Sequence, residues 1–373
     1  VSDPFFLVRI SSFTSWFLDL LRVVAAVGVV LSHLGTTKLA PGVAWLQPFG
    51  HLMVVCFFVL SGFLIAASVS GKNVGGARYA ALRLGRLWSV AIPCLLVTLL
   101  LQLLAENLAP AQFSAFERGH PLLRYGLVAF FLNEVWFSSA GMAFNSPVWS
   151  LAYEAWYYAL FGVVVFVRNP VWRIGLLAGL ALVAGPKILL LFPIWLLGVG
   201  LWKVFQWRAS LRAWAWPVLV LSVTTIMSWI AVHPRWPAAV GHEPWFFSAA
   251  WASDFVFGLA IAGLILGVDL IWGVRKPAPA IDATVRAAAN VSFTLYLLHF
   301  PLMAFTAMVL PYDRASGWHV GAILVGIFAV VFAFGSWIEP QRKAWTAKIE
   351  AAIRALRSRR RVMLIKLLPR VRT

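Results

Sequence analysis

The stretch FLDLLRVVAAVGVVLSHL, residues 17–34, is long and apolar enough to cross a bilayer, yet it carries Asp19, Arg22 and His33. A charged group at the centre of a membrane helix costs about 2.5–3.5 kcal/mol on insertion scales, so three ionisable residues in one span ask for a function. Arg22 and His33 are eleven positions apart. At about 100° per residue that is three turns with about 20° left over, so both point the same way. Asp19, three residues before Arg22, joins that face.

Composition extends this reading to the whole chain. Hydrophobic residues make up 62% and charged residues 12% of the sequence, and the mean hydropathy is +0.86. Soluble domains carry about 25% charged residues, so a water-soluble globule is excluded and a polytopic all-α membrane bundle is expected. The net charge of +18 would suggest nucleic acid in a soluble protein. Here the Lys and Arg fall in short connectors and in the last 35 residues, so they read as topology determinants and as contacts for anionic membrane lipids, with no nucleic-acid partner. Cys56 and Cys94 lie in separate apolar runs without Cys/His ligand spacing, so neither a disulfide nor a metal site is expected. No short apolar stretch with a small-residue cleavage site precedes the first span.

Candidate spans cover residues 16–34, 48–69, 87–104, 148–167, 172–185, 188–205, 215–232, 246–272, 291–309 and 319–338. An eleventh apolar stretch, 122–137, is shorter and contains Arg124, Asn133 and Glu134. The connectors with Lys72, Arg78, Arg83 and Arg86, with Arg168 and Arg173, with Lys203, Arg208 and Arg212, and with Arg275, Lys276 and Arg286 should all face the cytoplasm, as should the tail. The chain must then cross an even number of times between Arg86 and Arg168, where three apolar stretches lie. Segment 122–137 is the one expected not to cross, as a re-entrant or outer-face element. Ten crossings with both termini cytoplasmic follow. Residues 1–338 read as one transmembrane domain and 339–373 as a basic amphipathic tail, suited to an interfacial helix on an anionic leaflet or to a solvated end that only fixes orientation.

The other intramembrane polar groups cluster in three places. In NSPVWSLAYEAWYYALF, Trp149 and Pro147 open a helix on which Ser150 and Glu154 stand one turn apart. In SFTLYLLHFPL, Tyr296 and His299 are helical neighbours. Arg83 and Arg86 pair guanidinium forks, which grip phosphate oxygens well, at the expected cytoplasmic start of the third span. Blander readings exist: Asp19 with Arg22 as an ion pair that lets both survive in lipid, Arg83 and Arg86 as orientation charges, and His51 and His299 as residues between helices.

DLLRVVAAVGVVLSHL (19–34), FFVLSGFLI (57–65), RLGRL (83–87), SPVWSLAYEAWYY (146–158) and SFTLYLLHFPL (292–302) together resemble the bacterial acyltransferase-3 family of integral membrane acyltransferases, across nearly the whole chain and in the family's order. The resemblance implies transfer of an acyl group, usually acetyl, from cytoplasmic acetyl-CoA or another acyl-CoA to a hydroxyl of an envelope or secreted carbohydrate. It also implies a multi-pass location in the bacterial cytoplasmic (inner) membrane. It points to Arg22 and His33 as the essential pair, to Arg83 and Arg86 as coenzyme contacts, and to Glu154 as a site residue. Many members append a periplasmic SGNH-type esterase domain, and here any second transfer step is expected to use a separate protein.

Acyl transfer to an alcohol needs a base for the hydroxyl proton, donors for the developing oxyanion, and positioning of both substrates. His33 is the natural base, and Glu154 or Asp19 is expected to fix its tautomer, with depth favouring Glu154. Arg22 would hold a phosphate or polarise the thioester carbonyl. Ser150, Trp149, Tyr296 and His299 are the expected substrate-binding groups. Direct transfer and an acyl-His33 intermediate both remain open. A proton-coupled transporter or flippase of an anionic or lipid-linked sugar is the competing class; it should show broken helices in two matching halves, and no such repeat is visible.

Overall fold

The computed structural model describes residues 10–70 and 74–367, with side chains described as far as Ser358. Lys72, Arg370 and Arg372 of the charge pattern lie outside the described residues, as do the side chains of Arg359, Arg360, Arg361 and Lys366. The helices are α1 (Ser12–Ser32), α2 (Gln47–Val69), α3 (Gly76–Leu108), α4 (Pro110–Phe113), α5 (Pro121–Ala129), α6 (Trp149–Phe166) and α7 (Pro170–Ala184). They continue as α8 (Pro186–Phe205), α9 (Ala215–Val232), α10 (Trp251–Trp272), α11 (Pro279–Asn290), α12 (Ser292–Val309), α13 (Gly317–Ile338) and α14 (Arg342–Leu367). Among the described residues there is no strand, only two isolated bridges, and the protein is a polytopic helical bundle.

Among the described residues, nine helices are long and apolar enough to cross a membrane. The tenth expected crossing, 172–185, forms α7, whose 15 residues extend about 22 Å against a hydrocarbon core of about 30 Å. Segment 122–137 does not form a spanning helix: α5 has nine residues and the chain then turns back on itself. The span expected from 246 begins only at Trp251, because residues 245–250 are turns. Helix α3 starts at Gly76, eleven residues before the expected span, so Arg83 and Arg86 stand inside a helix rather than at its mouth. Many large apolar side chains face outward, among them Leu96, Leu100, Val171, Ile174, Leu221 and Val325, a surface suited to lipid rather than water.

Helix α2 lies at the centre, against α1, α8 and α10, while α12 packs on α1, α3 and α13. The backbones of α2 and α8 approach at Gly62 and Gly198: a Cβ on either would strike the Trp195 or Val59 carbonyl oxygen of the other helix. Small residues at such a crossing let membrane helices pack by close van der Waals contact. The first part of the tail is not a free interfacial helix. Helix α14 docks on α3, with Thr346 buried against Gly85 and Glu350 bonded to Arg78 and Arg354.

The non-crossing segment is anchored by charge. Lys187 Nζ, at the start of α8, lies 2.5 Å from Glu134 Oε2, and both side chains are fully buried. Lys187 also donates to the Ser138 carbonyl and faces the Phe246 ring. Burial pushes the Glu134 carboxyl up to about 7, against the pull of Lys187. Cys56 and Cys94 are free and buried.

Gly62→Ala is expected to force α2 from α8 and lower the melting temperature of the detergent-solubilised protein; an unchanged melt contradicts the close approach. Breaking a buried ion pair costs about 3–5 kcal/mol, whereas apolar replacement of both partners is often neutral. At pH 8, Glu134→Gln should therefore destabilise the protein more than the double change Glu134→Met with Lys187→Met, and the reverse order contradicts the buried pair.

Candidate functional site

Two cavities lie along the polar face of α1, one at the level of Arg22 and one at the level of His33. The first, about 70 Å³, is lined from five helices by Arg22 of α1, Ser61 of α2, Arg86 of α3, Ser150 and Glu154 of α6, and Ser292 and Tyr296 of α12. Glu154 Oε1 accepts hydrogen bonds from Ser61 Oγ, at 2.6 Å, and from the Tyr158 hydroxyl. Trp195 Nε1 in turn donates to Ser61 Oγ at 3.2 Å, so α8 steadies the arrangement. Arg22 Nη1 bonds Asp19 Oδ1 at 2.9 Å, and Asp19 Oδ2 lies 3.7 Å from Arg286 Nη1. The Arg86 guanidinium has no hydrogen-bond or ion-pair partner among the described residues and is left to face the cavity. Arg22 is thus paired to Asp19, Glu154 is held by two hydroxyls, and Arg86 is the cation whose guanidinium is left for a ligand.

The second cavity, about 300 Å³, is lined by His33, His51, Trp149, Phe247, Tyr296 and Phe300 among others. Val54 and Tyr296 line both cavities and form their common wall. The Tyr296 hydroxyl donates to the Pro147 carbonyl at 2.8 Å and so accepts from Ser150 Oγ at 2.7 Å, which ties α12 to the start of α6. Helix α12 is held there by a backbone device as well. Pro301 has no N–H to give to the Leu297 carbonyl four residues back, and Asn145 Nδ2 donates to that oxygen instead, at 2.8 Å.

The imidazole pair at this level has its protons fixed by geometry. His299 is fully buried, and its Nδ1 lies 2.9 Å from the Leu295 carbonyl. A carbonyl oxygen can only accept, so Nδ1 of His299 carries the proton and Nε2 presents a lone pair. That Nε2 lies 3.1 Å from His33 Nδ1, which is also 2.9 Å from the Val29 carbonyl. By the same reasoning His33 Nδ1 carries a proton shared between Val29 and His299. His33 Nε2 is then an unprotonated base, without a partner among the described residues, on a ring that lines the larger cavity.

The expected site residues fall into this frame unevenly. Arg22, Arg86, Glu154, Ser150 and Tyr296 meet at the smaller cavity, and His33, Trp149 and Tyr296 at the larger. Glu154 does not reach His33: its carboxylate is engaged by Ser61 and Tyr158, and the orienting role expected of it falls to His299 and the Val29 carbonyl. Asp19 is committed to Arg22 and Arg286 and does not line either cavity. Arg83 and Arg86 do not form one fork. Arg83 Nη2 donates to Ser68 Oγ at 3.2 Å, and its guanidinium lies over the Tyr79 and Tyr158 rings, facing a separate cavity between α3 and α6. Trp149 lines the larger cavity while stacking with Phe247 at 4.2 Å and with His51 at 5.8 Å. Sequence reasoning missed Ser61 and Tyr158 as partners of Glu154, although Ser61 sits inside the quoted FFVLSGFLI and Tyr158 is one helical turn beyond Glu154.

A membrane bundle with an arginine-lined cavity and an oriented imidazole across one wall is the class that these features define. The acyltransferase-3 family model, described as an acyltransferase domain, matches residues 15–338. The chain belongs to that family and is a multi-pass membrane acyltransferase. No curated protein and no solved structure matches it.

Replacing His299 with Phe removes the lone pair that faces His33 Nδ1. General-base catalysis contributes about 10²–10⁴-fold, and with Val29 still in place a fall in turnover of about tenfold or more is expected, with the KM for the acyl donor nearly unchanged. A variant that turns over at the wild-type rate would show that the imidazole pair is not part of the chemistry.

Proposed function

We propose that this protein moves an acetyl group from acetyl-CoA, supplied on the cytoplasmic side of a bacterial inner membrane, to a hydroxyl of an envelope or secreted carbohydrate. The observation that carries this reading is the pair of cavities with a common wall at Val54 and Tyr296, cationic on one side and imidazole-bearing on the other. Acyl-CoA has that same polarity, an anionic nucleotide at one end and a neutral thioester at the other. Arg22 and Arg86 hold phosphate oxygens or polarise the thioester carbonyl, in a cavity where Glu154 offers one fixed negative charge. The pantetheine arm passes Tyr296 and brings the thioester to the His33 cavity.

His33 Nε2 then takes the proton of the acceptor hydroxyl as its oxygen attacks the thioester carbon. The new C–O bond forms, the C–S bond breaks, and the departing thiolate takes the proton back from the imidazolium. His299 and the Val29 carbonyl keep the ring in the tautomer that presents its lone pair to the cavity. On the cytoplasmic face, Arg354 and Arg357 of α14 are exposed and suit anionic lipid headgroups.

Coenzyme A binding to the purified protein tests the donor side. A hydrogen bond to a charged group contributes about 1.5–3 kcal/mol, so Arg86→Ala is expected to weaken CoA binding about 10- to 100-fold, with a smaller effect for Arg83→Ala. Failure of the wild-type protein to bind CoA would move the reading to a transporter or flippase. Mass spectrometry of envelope and secreted glycans from cells with and without His33→Ala should show one acetyl ester missing, which identifies the acceptor.

A further inference from the structure

We propose that His51, held by Asp254 and Trp149, is a second hydroxyl-binding group that sets which position of the carbohydrate acceptor reacts. The proposal rests on the reading of the chain as a transferase to a carbohydrate hydroxyl and names a specificity-determining residue for it.

His51 lies near the start of α2 and Asp254 in the first turn of α10, far apart in sequence. His51 Nε2 is 2.8 Å from Asp254 Oδ2, with the two side chains only 9% and 3% exposed. The imidazole also stacks on Trp149 at an interplanar angle of 15°, and Trp149 is backed by Phe247 at 1°. The ring is thus fixed both in its plane and by its hydrogen bond. A carboxylate can only accept, so Nε2 carries the proton, and in the neutral ring Nδ1 presents a lone pair. That Nδ1 is buried and has no hydrogen-bond partner. Buried acceptors are almost always satisfied in native proteins, so a deliberately held, unsatisfied one points to a ligand.

The place of His51 says which ligand. It lines the His33 cavity and also a neighbouring cavity of about 150 Å³, whose lining includes Asp254, His233 and Arg235. Gln47 and Val240 line both as well, so the two spaces adjoin along His51. The larger cavity is therefore lined by two imidazoles, and in their neutral forms His33 Nε2 and His51 Nδ1 each need a donor. An ionised phosphate or carboxylate brings only lone pairs and is mismatched at both. A monohydric alcohol satisfies one. A sugar ring satisfies both: the hydroxyl at His33 is acylated while another donates to His51 and sets which position reacts. His233 Nε2, also buried and unpaired, continues the polar lining for the next part of the acceptor.

The test uses the full chain in lipid nanodiscs, with acetyl-CoA as donor and methyl α-D-glucopyranoside, methyl α-D-galactopyranoside and methyl α-D-mannopyranoside as probes. At least one glycoside should bind saturably by saturation-transfer NMR. His51→Leu and Asp254→Asn should each weaken it about tenfold, equivalent to about 1.4 kcal/mol, raising the KM for glycoside more than they lower kcat. CoA affinity, measured in parallel, shows that each variant is folded, and the isosteric Asp254→Asn decides alone where His51→Leu is not. No saturable glycoside binding by a wild-type protein that binds CoA, or equal glycoside binding by wild type and variants, overturns the proposal and leaves the transferase reading standing. A wild-type protein that binds no CoA overturns the transferase reading itself.

Discussion

A charge in hydrocarbon must be paired or placed in a polar cavity, and this one requirement organises the centre of the molecule. Helix α1 brings Asp19, Arg22 and His33 into the bundle on one face, and its neighbours are arranged to receive them. Asp19 neutralises Arg22 at close range, Arg86 and Glu154 complete the cavity beside it, and His299 meets His33 three turns above. The file is divided at Tyr296, whose hydroxyl is committed on both sides to α6 and its approach. Chemistry that must keep a thioester from water while giving it access to a hydroxyl benefits from such a division.

The scaffold that holds these groups depends on irregularities as much as on regular helix. Pro301 frees a carbonyl in α12 that Asn145 then captures, so the turn before α6 is locked to the helix carrying Tyr296 and His299. Gly62 and Gly198 bring α2 against α8, which places Trp195 where it can steady Ser61 and, through it, Glu154. Glu134 and Lys187 fix the non-crossing segment to the start of α8, close to Phe246. Residues 245–250 stay outside α10, and Phe247 stacks on Trp149.

Much of the fold was legible in the sequence because hydropathy and length decide what crosses a bilayer, and the ionisable residues of residues 17–34 stand out against that background. What was not legible depends on which helices abut. Arg83 and Arg86 look like one fork in RLGRL, but three helical positions separate their directions by about 60°, enough for packing to send one to the Glu154 cavity and the other to Ser68 and Tyr79. Glu154 looked like the partner of His33 by depth, yet depth says nothing about direction around α6, and its carboxylate turns to Ser61. Trp149 was legible as an aromatic residue at the start of a span, and only three-dimensional packing shows it stacked with Phe247 and His51. Asp254 was visible as an acid within the apolar run WASDFVFGLA, but nothing in that run names His51 as its partner.

The central claim is that the coenzyme reaches from the arginine-lined cavity to the imidazole pair across their common wall at Tyr296. Cryo-electron microscopy of the protein with bound coenzyme A measures this directly. Phosphate density beside Arg22 and Arg86, with the thiol extended past Tyr296 toward His33, is the expected result. Coenzyme bound elsewhere on the bundle, or bound with its thiol directed away from Tyr296, would contradict it.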